Sequence, residues 1–190
     1  MKGKSSFMLF LSLLLSIPIE TLAQGESGVP FLLISPDPAA NGWGEISTAV
    51  VSDNPMATIF NPGQLGLFSL DSYFSAGTYV PKTQWLPGFH QSDLTYDVTA
   101  VNAGVNLARQ FDLDLPISLG IGYSRVYLDL GTFIRTSTSG PQPLATFNAH
   151  EKAEAFSVAV GIDYFVRLGV GMSFNNIVSV LSPIGTEQEI

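Results

Sequence analysis

The sequence predicts an all-β protein: a transmembrane antiparallel β-barrel preceded by an irregular N-terminal hatch. Three observations point there. The chain opens with an export signal, later segments alternate bulky apolar with small residues, and no later run is long and apolar enough for a membrane helix. Composition agrees. Of 190 residues 46% are hydrophobic and 13% charged, about half the roughly 25% charge of ordinary soluble domains. Such an apolar, aromatic-rich chain is not a disordered one. The balance of 16 acids against 8 bases gives a net charge of −8, which argues against a nucleic-acid partner because phosphate binding needs a basic surface. Without cysteine, disulfide scaffolds, thiolate zinc sites and cysteine nucleophiles are excluded.

Residues 1–23 read as a signal peptide. Lys2 and Lys4 form the positive start, Phe7–Ile17 the apolar run and Thr21-Leu22-Ala23 the small-residue cleavage site. The apolar run is shorter than the ~20 residues of a spanning helix. Cleavage after Ala23 removes Lys2, Lys4 and Glu20 and leaves a net charge of −9. For an exported, apolar chain without a spanning helix, a closed barrel is the remaining way to satisfy the backbone inside a bilayer.

Five segments, with the barrel beginning at residue 70, carry the strand signal. A weaker one covers 70–80. In 98–109, Val101, Ala103 and Val105 oppose Asn102, Gly104 and Asn106; in 116–128, Leu119, Ile121 and Tyr123 oppose Gly120, Gly122 and Ser124. In 153–164, Phe156, Val158 and Val160 oppose Ser157, Ala159 and Gly161; in 166–180, Val170, Met172 and Phe174 oppose Gly171, Ser173 and Asn175. A secreted β-sandwich remains the alternative, but its wet face would carry Lys, Glu and Arg. Small residues suit a barrel interior, and the bulky face suits lipid. Tyr79, Tyr123, Tyr127, Tyr164, Phe165 and Phe174 fall near predicted strand ends, as interfacial aromatics do.

The connections at 81–97, 110–115, 129–152 and near 165 alternate long and short, as outer loops and periplasmic turns do. Thr132–Pro143 reads as a solvated loop, with a sixth strand if 144–150 pairs. Glu187–Ile190 does not read as a closing strand. Barrels of this kind have an even count of at least 8 strands, so residues 70–190 are expected to be the first part of a longer barrel or, less well supported, half of an oligomeric one. Residues 24–69 are dense in Pro and Gly and do not alternate. They read as a hatch or plug, with Asp53-Asn54-Pro55 opening a helical turn. The strand glycines Gly120, Gly122, Gly169 and Gly171 are read as points of close backbone approach to it.

Several motifs, in order, resemble the start of the PorV/PorQ family of outer-membrane proteins, which belongs to the FadL-like barrel superfamily. They are Phe31–Asp37, then Gly42-Trp43-Gly44-Glu45, Ser52-Asp53-Asn54-Pro55 and Asn61-Pro62-Gly63-Gln64-Leu65, followed by Trp85-Leu86-Pro87. Gly63 and Gln64 depart mildly from the family's Ala-Gly. The resemblance covers about residues 30–180 and implies a 14-stranded barrel with a hatch. It implies a non-enzymatic role in type IX secretion in the outer membrane, with membrane lipid and secretion-system or exported cargo proteins as partners. The alternative is a FadL-like transport channel for hydrophobic small molecules.

No cofactor is expected. His90, Ser92 and Asp93 are too close in sequence for a catalytic triad. Asp112 and Asp114 read as turn acids before a divalent-ion site, and Glu151, Lys152 and Glu154 as the border of the lipid-facing band. Arg125 reads as a snorkelling residue, and Arg167 with Asp163 as either an ion pair or solvated charges. Trp85 is an interfacial anchor or an exposed recognition residue, the former preferred. Trp43 and Phe60 are candidates to line a lipid site.

Overall fold

The computed structural model describes residues 29–44, 46–48, 50–81, 94–112, 116–137, 140–181 and 188–189, with backbone alone over 135–137, 140–145 and 188–189. The expected signal peptide, Glu45, Trp85-Leu86-Pro87, His90, Ser92, Asp93 and Asp114 lie outside the described residues. Most of the described chain is one open antiparallel sheet whose strands pair in chain order. They are β1 (Phe74–Tyr79), β2 (Thr95–Asn106), β3 (Ile117–Ser137), β4 (Gly140–Asp163), β5 (Arg167–Val180) and β6 (Gln188–Glu189). The alternating segments form β2 to β5, and their period of two gives the sheet two chemically different faces.

The N-terminal segment lies against one face. Two 3₁₀ turns, Pro30–Leu33 and Ile46–Thr48, accompany short helices α1 (Pro38–Gly42) and α2 (Ala57–Phe60) and the longer α3 (Gly63–Asp71). Pro38 at the first position of α1 lacks the N–H that a helix start leaves unpaired. The Asp37 carboxylate accepts from the Ala39 amide at 2.9 Å and caps it. The turn expected at Asp53–Pro55 forms, with Asn54 Oδ1 accepting from the Met56 amide at 3.0 Å ahead of α2.

Three expectations are corrected. The segment at 70–80 starts as helix: α3 runs to Asp71, and strand begins only at Phe74. Thr132–Ser137 and Gly140–Pro143, expected as a solvated loop, are paired strand, and Ala145–His150, allowed as a sixth strand, pairs as part of β4. Asp129–Ser137 pairs with Gly140–His150, with a register shift at Gly131, whose φ is +82°. Thr132, Phe133, Ile134, Thr146 and Phe147 have strong β-propensity, and the Phe133 and Phe147 rings stack across the pair at 5.6 Å. This outweighs the scattered Gly, Ser and Pro. The strand at 98–109 stops at Asn106, where a fourth helix, α4 (Leu107–Phe111), begins; Asn106 Oδ1 accepts from the Arg109 amide, and Asp112 ends the helix with φ +52°. Gln188–Glu189 pairs with Val178–Ser179 and lengthens the sheet at its edge without closing it.

Candidate functional site

The two sheet faces invert the usual order of burial. On the covered face, Asn102 is 2% and Ser118 0% exposed; on the other, Val170 is 64% and Phe174 61% exposed. Soluble domains bury large apolar side chains and leave polar ones outside. Here small and polar residues are buried, and bulky apolar residues face out.

The buried face is built to receive α3. The helix crosses four strands, with Gly63 against Gly169 of β5, Gly66 against Val160 and Gly161 of β4, and Leu65 and Ser69 against Gly120 of β3. Ser69 also reaches Gly104 of β2. A Cβ at Gly66 would stand 2.5 Å from the Val160 carbonyl oxygen, and one at Gly120 2.5 Å from Ser69 Oγ. Gly161, Gly169 and Gly171 stand where strand backbone meets the backbone of the N-terminal segment, whereas Gly104 and Gly120 mainly make room for the Ser69 and Leu65 side chains and Gly122 lies nearest the Asn102 side chain. Polar strand side chains then hold the segment by its carbonyls. Asn102 Nδ2 donates to Pro55 O at 3.0 Å, Asn106 Nδ2 to Leu70 O at 2.8 Å, Ser118 Oγ to Gly66 O at 2.7 Å and Tyr96 OH to Ile34 O at 2.9 Å. Gln64, itself buried, donates to Ser47 O at 2.6 Å and accepts from the Ser52 amide. Ser118→Ala is expected to lower stability by about 1 kcal/mol through the orphaned Gly66 carbonyl, read as a lower urea midpoint with an unchanged slope.

Farther from the β4–β5 turn the same face becomes apolar. Phe31 and Met56 pack on Tyr96, Val98, Ala100, Val126 and Leu128, and Tyr79, expected at an interface, packs against this cluster from inside. Between segment and sheet lies a cavity of about 400 Å³ lined by Leu32, Ile59, Val126 and Ile177 with Thr58 and Asn175 among its polar atoms. Neither Trp43 nor Phe60 lines it.

The exposed face is ordered in rows across the strands. Leu168 of β5, Ile162 of β4 and Ile117 of β3 share one row; Val170, Val160, Leu119 and Val105 the next; Met172, Val158, Ile121, Ala103 and Phe74 the third; and Phe174, Phe156, Tyr123, Val101 and Ala76 the fourth. No charge interrupts these four rows. The fifth is polar from edge to edge: Thr78, Thr99, Arg125, Glu154 and Asn176. Glu154 accepts from Tyr123 OH at 3.1 Å and pairs with Lys152 at 3.1 Å. Arg125 leans away from the apolar rows, its guanidinium carbon 5.1 Å from the centroid of the Tyr127 ring. Glu151, expected beside Glu154 at the band's border, instead turns to the covered face, 5% exposed, and accepts from Ser179 Oγ at 2.9 Å. His150 belongs to β4 and lies 5.8 Å from the Tyr127 ring. At the opposite end the β4–β5 turn exposes Tyr164 and Phe165, packed edge to face at 4.4 Å.

Arg167 and Asp163 do pair, at 3.1 Å, and Arg167 also reaches Asp71 at the end of α3 at 2.8 Å. Of the sequence-predicted site residues, Asn61, Pro62 and Gly63 come together on the sheet. Asn61 Oδ1 accepts from the Gly63 amide, Asn61 Nδ2 donates to Thr48 O, and Pro62 meets Gly171. Gly42, Gly44 and Asp53 are exposed, and Gly44 has φ +73°. Among the described residues no group of three or more His, Cys, Asp or Glu is placed to hold a metal. No described helix is long and apolar enough to cross a membrane.

Fold and faces together define an open antiparallel β-sheet wrapped on its own N-terminal segment. No protein-family model, curated protein or solved structure matches the chain.

Proposed function

We propose that the sheet is part of the wall of an outer-membrane β-barrel whose lumen holds the N-terminal segment as a hatch. The protein then serves as a non-enzymatic component of protein secretion resembling the PorV/PorQ family, docking exported proteins at the cell surface. The inverted burial carries this reading: a band of bulky apolar side chains suits hydrocarbon, and a small, polar inner face suits a filled lumen. Strand length supports the reading: β5 runs fourteen residues, Arg167–Val180, about 44 Å at about 3.4 Å per step, enough to cross an apolar band of ~25 Å at a tilt of roughly 40°. Arg125 bending toward Tyr127 at the border of the band is the posture of a snorkelling side chain.

Protein docking is favoured by the length of β3 and β4. Beyond the polar row, β3 continues twelve residues from Arg125 to Ser137, about 41 Å of paired strand, as a platform standing clear of the membrane. The cavity favours one second reading, a FadL-like channel, since its lining would accept a hydrophobic small molecule. Fractionation of cells expressing the complete open reading frame tests the membrane assignment. A carbonate- and urea-resistant, heat-modifiable outer-membrane band is expected; a soluble band in periplasm or medium overturns it. Co-purification of exported proteins, lost when the β3–β4 hairpin is shortened, separates docking from solute passage.

A further inference from the structure

We infer that Arg125 and Lys152 form a binding site for the phosphate of an anionic lipid headgroup, its acyl chains lying along the apolar rows below. The inference rests on the membrane reading and adds a ligand to it. Arg125 stands in the row that ends the apolar band, and Lys152 one row farther out on the neighbouring strand. Because the guanidinium leans over Tyr127, it approaches the row of Lys152. Two cations on the diagonal of one strand pair thus sit where a headgroup would lie if its chains covered Tyr123, Phe156 and Phe174.

The charges of the neighbours favour Arg125 as the principal contact. Glu154 is engaged by Tyr123 and Lys152, whereas Arg125 makes no ion pair among the described residues, and its buried Nε has no hydrogen-bond partner. Asp97, which would repel an anion, faces out across from Tyr127 on the side away from Lys152. Glu154 stands directly across from Arg125 and couples to it through space, but its carboxylate is taken by the Tyr123 hydroxyl and Lys152, so the guanidinium itself keeps donors for a ligand. Phosphate is suited to it, since a guanidinium offers paired donors that match phosphate oxygens.

The test uses the full-length protein purified in dodecyl maltoside and mixed with phosphatidylglycerol, with retained lipid read by native mass spectrometry. Wild type is expected to retain about tenfold more lipid than the Arg125→Gln/Lys152→Gln variant, the loss of charge-assisted hydrogen bonds. Arg125→Met, which keeps an unbranched chain over Tyr127, is expected to lose most of the difference while keeping heat-modifiable mobility. Equal retention by wild type and both variants overturns the site. Displacement of the lipid by inorganic phosphate assigns the site to free phosphate and overturns the lipid. A protein that washes off membranes overturns the membrane reading itself, whereas an embedded protein with undiminished lipid retention in the variants overturns this inference alone.

Discussion

Gly66→Val is expected to destabilise the folded protein by about 3 kcal/mol, the upper range for overpacking a tight interior. At this position the helix backbone lies on the backbone of β4. An added Cβ would meet the Val160 carbonyl oxygen and carbon at 2.5 and 2.6 Å and the Gly161 nitrogen at 2.8 Å. None of these is the movable end of a side chain, so relief requires lifting α3 off the sheet. That would strain the Ser118 to Gly66 and Asn106 to Leu70 hydrogen bonds as well. Gly42→Ala is the control: nothing lies within 4 Å of its Cβ position, and a change within about 0.5 kcal/mol is expected, as for ordinary surface sites. Urea unfolding followed by loss of heat-modifiable mobility reads both variants, and equal midpoints would sink the account of the glycine contacts.

Val170→Arg separates the membrane reading from the β-sandwich. Val170 is exposed and sits in the second of four apolar rows. In water, a charge there costs little. Facing hydrocarbon near the middle of the band, it costs about 2–4 kcal/mol, so the yield of folded, membrane-inserted protein is expected to fall sharply. Thr99→Arg, in the polar row, should cost about 0–1 kcal/mol, as positions near the interface do. Outer-membrane yield and urea midpoints in detergent and in lipid check the pair. Similar behaviour of the two variants in lipid would remove the argument for a hydrocarbon-facing band.

The facing of residues along β2 to β5 was legible in the sequence. Leu168, Val170, Met172 and Phe174 declare their face by spacing alone, and so do the glycines and serines between them. Gly120 of β3 and Gly169 and Gly171 of β5 were readable as close approaches, because no strand gains from a residue that has no side chain to pack, whereas Gly122, read the same way, meets the Asn102 and Leu65 side chains instead. Helix α3 was not legible. Gly63, Gln64, Leu65, Gly66, Phe68, Ser69 and Leu70 are all buried, so it has no polar face to set up a helical period. The carbonyl-holding residues were half legible: Asn102, Asn106 and Ser118 stood out as polar residues on the small-residue face, but their partners lie 36 to 52 residues away. The long β3–β4 hairpin was hidden because its turn-forming residues are spread among β-formers. For the motif residues, Asn61-Pro62-Gly63 owes its position to Gly171 and Gly169 more than a hundred residues downstream, a pairing that no local pattern encodes.

The path of α3 across the sheet also orders the protein's assembly. The helix precedes in the chain every strand it touches, and each strand pairs with the one just before it. Hairpins can therefore be added one at a time with short loop closures, which is the fast route for antiparallel topology. The seat beneath α3, however, is complete only when Gly169 and Gly171 arrive with β5. Were the sheet closed into the proposed barrel, contacts this close would leave no clearance for a helix to slide in afterwards, and the N-terminal segment would be the form on which the wall is cast.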